Sequence, residues 1–259
     1  MPPSNLLSRA HLWYAGHGPN GFATFLSYVH PDIISLNQVE DCWQLQTKTD
    51  TYYLSDQRQI TRFIGMGIDM LGRVREKYTC PGFVEVGSGD IVVDVGAFIG
   101  EFSRSVAPLT DRLIAIEPDT RNYQALKRNL EHWDHTEAMQ LAAWNETGTL
   151  SFNVANDPSE GSILDVDSTY TGESITVDTT RIDDLAEEIG LERIDFLKIE
   201  AEGAEPEVFE GTGSLHVEKL AIECAPERDG SSPADVILEQ LESQKYETRL
   251  RGNVVFAKR

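Results

Sequence analysis

One stretch of the chain, Asp90 to Glu117, limits its possible folds more than any other. Ile91 to Val95 is an apolar, β-branched run broken only by Asp94, the pattern of a strand covered on both faces. It stops in a turn bounded by Gly96 and Gly100, after which Glu101 to Ala107 suits a helix. A second apolar strand, Leu113 to Ile116, then ends in Glu117-Pro118-Asp119. Strand, glycine turn, helix, strand and acid in this order are the opening half of a doubly wound α/β sheet.

Such a unit can hold a nucleoside-bearing cofactor. Glycines in the turn let a ligand approach the backbone, and an acid closing the second strand accepts two hydrogen bonds from ribose hydroxyls. The spacing is Asp94-x-Gly96-x-x-x-Gly100, not the G-x-G-x-x-G of dinucleotide sites. An acid two residues before the first glycine suits a cationic amino-acid tail better than a pyrophosphate. The unit therefore favours S-adenosylmethionine, with Glu117 on the ribose. Two plainer roles compete: a glycine turn that only packs a helix on a strand, and an Asp94 that caps the N–H groups of its own turn.

Upstream, residues 1–36 are compositionally mixed; Leu6 to Tyr14 suits a short helix and Gly16 to Gly21 a loop. His11, His17 and His30 fall too irregularly for a ligand set. Cys42–Gln46 and Thr51–Leu54 flank Lys48-Thr49-Asp50 as a hairpin, and Ile60, Phe63, Ile64, Met70, Leu71, Val74 and Tyr78 mark a long amphipathic helix over Gln57–Tyr78. Residues 1–87 thus read as an N-terminal cap of helix, hairpin and long helix, and residues 88–259 as the cofactor-binding domain.

Downstream, a helix is expected over Thr120–Glu131, a third strand over Met139–Ala143 and an exposed strand over Gly148–Val154. A polar loop Asn156–Ser174 and a strand Ile175–Val177 follow, then a helix capped by Thr180 and stopped at Gly190. Ile194–Glu200 is the fourth core strand, Glu205–Glu210 a helix and Leu220–Cys224 the fifth strand. Ser232-Pro233-Ala234-Asp235 opens another helix as a capping box, and Tyr246–Ala257 forms a closing hairpin. Alternating strand and helix predicts a mainly parallel sheet, with an antiparallel strand added at one edge.

Charge narrows the partners. Acids outnumber bases 43 to 22, giving a formal charge of −21, and Arg outnumbers Lys 15 to 7. Phosphate contacts need a basic face, so direct nucleic-acid binding is disfavoured. The acids are spread along the whole chain, and self-repulsion on this scale calls for screening; the plain reading is a merely acidic soluble protein, and the scarcity of Lys favours a halophile's cytoplasm. Cys42, Cys80 and Cys224 match no metal spacing and read as free thiols. No apolar run approaches a membrane span and no signal peptide is visible, so a cytoplasmic location is expected.

Three blocks resemble the FkbM family of S-adenosylmethionine-dependent methyltransferases: Val93 to Ser103, Ile116 to Tyr123 with Leu126–Leu130 behind it, and Ile194 to Glu205 followed by Phe209-Glu210-Gly211. The resemblance implies a Rossmann-like seven-stranded methyltransferase sheet and methyl transfer, commonly to an oxygen of a sugar or other small metabolite. It also implies roles by position. Asp94, Gly96, Ala97, Phe98 and Gly100 lie along the methionine part, Glu117 and Pro118 hold the ribose, and Leu141 and Ala142 edge the adenine. Glu200 to Glu202 face the methyl and the acceptor; Glu200 stands where the family usually has Asp.

Lys198 shares one strand face with Phe196 and Glu200, and a covered Lys needs a carboxylate partner, which Glu200, Glu223 or Asp94 can supply. It is either a structural ion pair orienting the strand end or a base. Glu200 and Glu202 are candidates to take the acceptor's proton, with His216 an outside choice. Glu200, Glu202, Glu205 and Glu223 also suggest hard-cation ligands, although clustered acids are expected in this composition, and no metal site is assigned. The expected partners are a small-molecule or glycan acceptor and a second copy of the chain as homo-oligomer. A nicotinamide-dependent oxidoreductase and a non-catalytic relic of the fold are the competing classes.

Overall fold

The computed structural model describes residues 32–56, 59, 70–155, 170–227 and 230–259. The expected Leu6–Tyr14 helix, the Gly16–Gly21 loop, His11, His17, His30 and more than half of the Gln57–Tyr78 helix lie outside them. The chain divides into two compact units, Met1–Arg73 and Val74–Arg259. The segment 74–87, grouped by sequence with the cap, belongs to the second unit, because Tyr78, Phe83, Val84 and Val86 are buried in the same cluster as Phe102 and Phe196.

The first unit contains an antiparallel meander, β1 (Ile33–Val39), β2 (Cys42–Thr47) and β3 (Thr51–Leu54). The expected hairpin is β2–β3, turned by Thr47, whose Oγ1 accepts from the Asp50 N–H at 2.9 Å. The sequence pattern does not place β1; its burial alternates irregularly, and pairing with β2 supplies what its side chains do not.

Helix α1 (Met70–Lys77) leads into the second unit. There β4 (Asp90–Val95), α2 (Glu101–Val106) and β5 (Thr110–Ile116) are followed by α3 (Thr120–Leu130) and β6 (Thr136–Met139). Strands β7 (Ala142–Ala143), β8 (Gly148–Ala155) and β9 (Tyr170–Thr180) form a small separate sheet, and α4 (Ile182–Glu188) comes after it. Then β10 (Arg193–Ile199), α5 (Glu205–Glu210), β11 (His216–Glu223) and α6 (Ala234–Ser243) alternate again. β12 (Glu247–Arg251) and β13 (Val254–Lys258) close the chain as the expected hairpin. The seven-stranded sheet runs β12-β13-β11-β10-β4-β5-β6, and only β13 opposes the rest.

Period two divides the strands between two cores. Val93, Val95, Leu197, Ile199, Leu220 and Ile222 face the helices that carry Val208, Phe209, Ile237 and Leu241. Val92, Phe196, Ala221 and Phe256 face Phe102, Val106, Leu126 and Tyr78. Asp94 and Lys198 fall on this second face, in register with each other across β4 and β10.

Four local expectations change. Pro233 itself stands at the N-cap of α6 with no side-chain cap bond, so Ser232 to Asp235 do not form the expected capping box. Met139–Ala143 is two strands: β6 ends at Met139, and β7 pairs instead with Thr179 and Thr180 of β9. Of the expected polar loop Asn156–Ser174, Tyr170 to Ser174 are strand and pair with β8, where backbone bonds hold a polar ladder that periodicity does not register; 156–169 lie outside the described residues. Thr180 ends β9 instead of capping α4, and Arg181 stands at the N-cap with no side-chain cap bond. Among the described residues no helix is long and apolar enough to cross a membrane.

Candidate active site

The chain runs from β4 outward to β5 and β6, then returns to β10 on the other side of β4. The strand order therefore reverses between β4 and β10, the position at which open α/β sheets take their ligands, outside the carboxyl ends of the strands. The turn after β4, Glu117 after β5, Glu200 to Glu205 after β10 and Glu223 at the end of β11 all stand along this edge.

The turn is built by packing. Gly96 has φ 68°, and a Cβ there would lie 1.8 Å from the Glu200 carbonyl oxygen, so the neighbouring strand end excludes any side chain. Gly100 has φ 88°, with Leu126 Cδ1 2.8 Å from a Cβ. Gly96 N and Ala97 N both donate to the Ile116 carbonyl, at 3.0 and 2.9 Å, and Gly100 N donates to the Ala97 carbonyl at 2.8 Å. Phe98 N donates to Glu117 Oε2 at 2.9 Å. Four N–H groups that would cradle a pyrophosphate are thus committed within the fold.

Glu117 is 5 % exposed, and its Oε1 accepts from Asp119 N at 3.0 Å and Asn122 Nδ2 at 3.3 Å. Burial dominates and raises its pKa to about 7, with the charge of Asp119 adding and the hydrogen bonds opposing. Pro118 is half-buried beside it; Ala97 and Ala142 are buried and Phe98 and Leu141 half-buried.

On the other side of β4 an ion network closes the strand ends. Lys198 Nζ lies 3.1 Å from Asp94 Oδ1 and 3.1 Å from Glu200 Oε2, and donates to the Gly96 carbonyl at 2.7 Å. Asp94 does not cap the turn's N–H groups; it is wholly enclosed and its Oδ2 accepts from Ser103 Oγ at 2.6 Å. Of the three partners offered for Lys198, Asp94 and Glu200 are used, and Glu223 pairs instead with Lys77 and Tyr78. Lys77 also reaches Glu200 Oε1 at 2.9 Å. Burial works against ionising Glu200, but Lys198, a hydrogen bond with Glu223, Lys77 and Tyr78 outweigh it and hold its carboxyl well below the usual range.

Glu202 takes a left-handed backbone, φ 49°, beside Gly203. Burial, then the charges of Glu227, Glu200, Glu205 and Glu223, raise it to about 9. Buried Glu205 accepts from Ala201 N at 2.9 Å and Gly203 N at 3.2 Å, tying the loop after β10 to the start of α5. Among the described residues no His, Cys, Asp or Glu group of three or more is arranged to hold a metal ion. His216 opens β11, at the opposite end of that strand from Glu223.

Residues 94–248, more than half of the chain, match the family model described as the methyltransferase FkbM domain. The chain belongs to the FkbM methyltransferase family. It is 25 % identical over 137 residues to the 2-O-methyltransferase NoeI of Sinorhizobium fredii, a match covering 47 % of this chain and 56 % of that protein. The FkbM methyltransferase of Methylobacillus flagellatus is similar in structure, with TM-score 0.49 and 18 % identity over 79 % of this chain and 56 % of that one. Fibrillarin of Aeropyrum pernix, solved with S-adenosyl-L-methionine, gives TM-score 0.46 and 10 % identity over 87 % and 98 % of the two chains. The chain therefore spans just over half the length of its FkbM-family structural neighbour and of its curated relative.

Around this FkbM site sequence reasoning missed Lys77, Tyr78, Ser103 and Glu227. Tyr78 counted as one more apolar position of a helix stripe, and Lys77 was not singled out. Both lie upstream of the matched residues, and no local signal joins them to strand ends more than a hundred positions away.

Proposed function

We propose that the protein transfers the methyl group of S-adenosylmethionine to a hydroxyl oxygen of a sugar, glycolipid or other small metabolite. The observation that carries this reading is the buried Glu117 carboxylate at the end of β5, bonded to the Phe98 N–H of the glycine turn beside the point where strand order reverses. A carboxylate there suits ribose hydroxyls, which can take over lone pairs now used by backbone donors. The committed turn amides leave little for a pyrophosphate, which weighs against a nicotinamide dinucleotide.

In this reading Glu117 and Pro118 hold the ribose, the backbone of Gly96 to Phe98 follows the methionine part, and Leu141 and Ala142 border the adenine. When bound, the cofactor supplies an electrophilic methyl. The chain's own part is alignment: Lys198, pinned by Asp94 and the Gly96 carbonyl, fixes the end of β10 so that Glu200 and Glu202 face the acceptor at a set distance. Oxygen as the methylated atom is supported by the name of the relative, a 2-O-methyltransferase. Calorimetry with S-adenosylhomocysteine tests the reading. Wild type should bind and Glu117→Ala should bind at least about tenfold more weakly, since charge-assisted hydrogen bonds are lost; equal affinity in the two proteins would reject the assignment of Glu117.

A further inference from the structure

Three carboxyl groups at the ends of β10 and β11 stand in different surroundings. Glu200 lies between two ammonium groups, Lys198 at 3.1 Å and Lys77 at 2.9 Å, and a carboxylate clamped in this way is a poor proton acceptor. Glu202, raised to about 9 by burial and then by four other carboxyls, holds its proton near neutrality. Glu223 is held differently. It ends β11 one position past Ile222, which pairs with Ile199, so it neighbours Glu200 at the end of β10. Its Oε2 accepts from the Tyr78 hydroxyl at 2.9 Å and from Lys77, while the side chain keeps an 11 % exposed edge.

Tyr78 is itself fixed. Its buried ring meets Phe102 edge-on at 5.5 Å, with Lys77 and Lys198 over its faces at 4.8 and 5.1 Å. Arg251 from β12 donates to the carbonyls of Glu76 and Thr79, both at 2.6 Å, and so anchors the backbone on either side of Lys77 and Tyr78. Two donors on one oxygen fix the plane of the Glu223 carboxyl group and leave its other oxygen for Glu200 or an incoming hydroxyl.

We propose that Glu223, oriented by Tyr78 and Lys77, takes the proton of the acceptor hydroxyl during methyl transfer, an assignment that rests on the methyltransferase reading. The hydroxyl oxygen forms a bond to the methyl carbon as the carbon–sulfur bond of the sulfonium donor breaks, and that bond's electron pair stays on sulfur. The hydroxyl proton passes to the Glu223 carboxylate and is released to solvent afterwards. Tyr78 and Lys77 are positioning residues.

The groups around Glu223 set its titration. Lys77, the last residue of α1, and Tyr78 just beyond it face Glu223, as do Glu200 just past the end of β10, Glu202 from the loop that follows, and Cys224 beside it in the chain. Burial, then the hydrogen bond and charge of Glu200, raise it to about 7 against the pull of Lys77. The ionised base therefore accumulates as pH rises through neutrality.

The test follows transfer of labelled methyl from S-adenosylmethionine to a total glycan and lipid extract of the source organism, from about pH 5.5 to about pH 9, with calorimetry of S-adenosylhomocysteine on each variant. Wild-type rate should climb about tenfold per pH unit below an apparent pKa near neutrality. Glu223→Gln should bind S-adenosylhomocysteine as wild type does, lose the climbing limb and fall about 10²–10⁴-fold in rate. Tyr78→Phe should keep the limb but move it to higher pH, because the carboxylate loses a donor. A climbing limb retained in Glu223→Gln overturns the assignment, as does a wild type that binds S-adenosylhomocysteine yet labels nothing in the extract. Failure of wild type to bind S-adenosylhomocysteine overturns the methyltransferase reading itself, which separates the two.

Discussion

Replacing Lys198 by Met keeps most of the side chain's volume and removes its charge. Lys198 is 3 % exposed and Asp94 0 %, so the substitution strands a carboxylate inside the core with one hydroxyl, Ser103 Oγ, as its remaining bonded partner. Breaking a buried pair from one side costs about 3–5 kcal/mol. The Glu200 arm adds less, because that side chain is 31 % exposed and still pairs with Lys77. For a unit of this size the expected loss corresponds to about 6–20 °C in Tm. Urea unfolding followed by circular dichroism at fixed ionic strength measures it. Adding Asp94→Leu should recover most of the loss, since replacing both partners by apolar groups is nearly neutral. A single-variant loss under about 1 kcal/mol, or a double variant no better than the single, would refute the claim that the pair is held by mutual need.

Glu117 gives the fold a reversed pH dependence. Its folded pKa, about 7, lies above the ordinary 4.5, so between those values the folded chain holds a proton the unfolded chain releases, and stability falls as pH rises through the window. The urea midpoint should be lower at about pH 8 than at about pH 5, and Glu117→Gln should narrow that difference by an amount on the order of 2–3 kcal/mol at most; an unchanged difference counts against it. Gly96→Ala places a Cβ 1.8 Å from the Glu200 carbonyl oxygen on a φ of 68°, so strand separation is expected. Expression should yield little folded protein, and a soluble variant with the wild-type Tm would contradict the close approach of β4 to β10.

The order of elements was legible because it is written in local periodicity. Apolar β-branched runs, glycines at their ends and helical stripes between them specify a doubly wound sheet whatever lies elsewhere in the chain. For the same reason the turn Gly96–Gly100, the acid Glu117 and the strand Ile194–Glu200 were visible as candidates, as was the need of Lys198 for a carboxylate. Boundaries failed where backbone pairing acts alone: Ala142–Ala143 leaves the main sheet for β9, and Thr180 stays in its ladder instead of capping a helix.

Only the tertiary structure decided which acid does what. Glu200, Glu202, Glu205 and Glu223 are chemically the same residue in the chain, and nothing in their sequence neighbourhoods ranks them. Packing ranks them, by placing Lys198 and Lys77 on Glu200, backbone amides on Glu205, a crowd of carboxyls around Glu202, and a tyrosine hydroxyl on Glu223. A carboxyl group's proton affinity is set by charges and donors within a few ångströms, and what separates Glu200 and Glu223 from the others is Lys77 and Tyr78, which reach them from more than a hundred positions away. The linear chain determines which groups are available; only the closed sheet brings each to its neighbours.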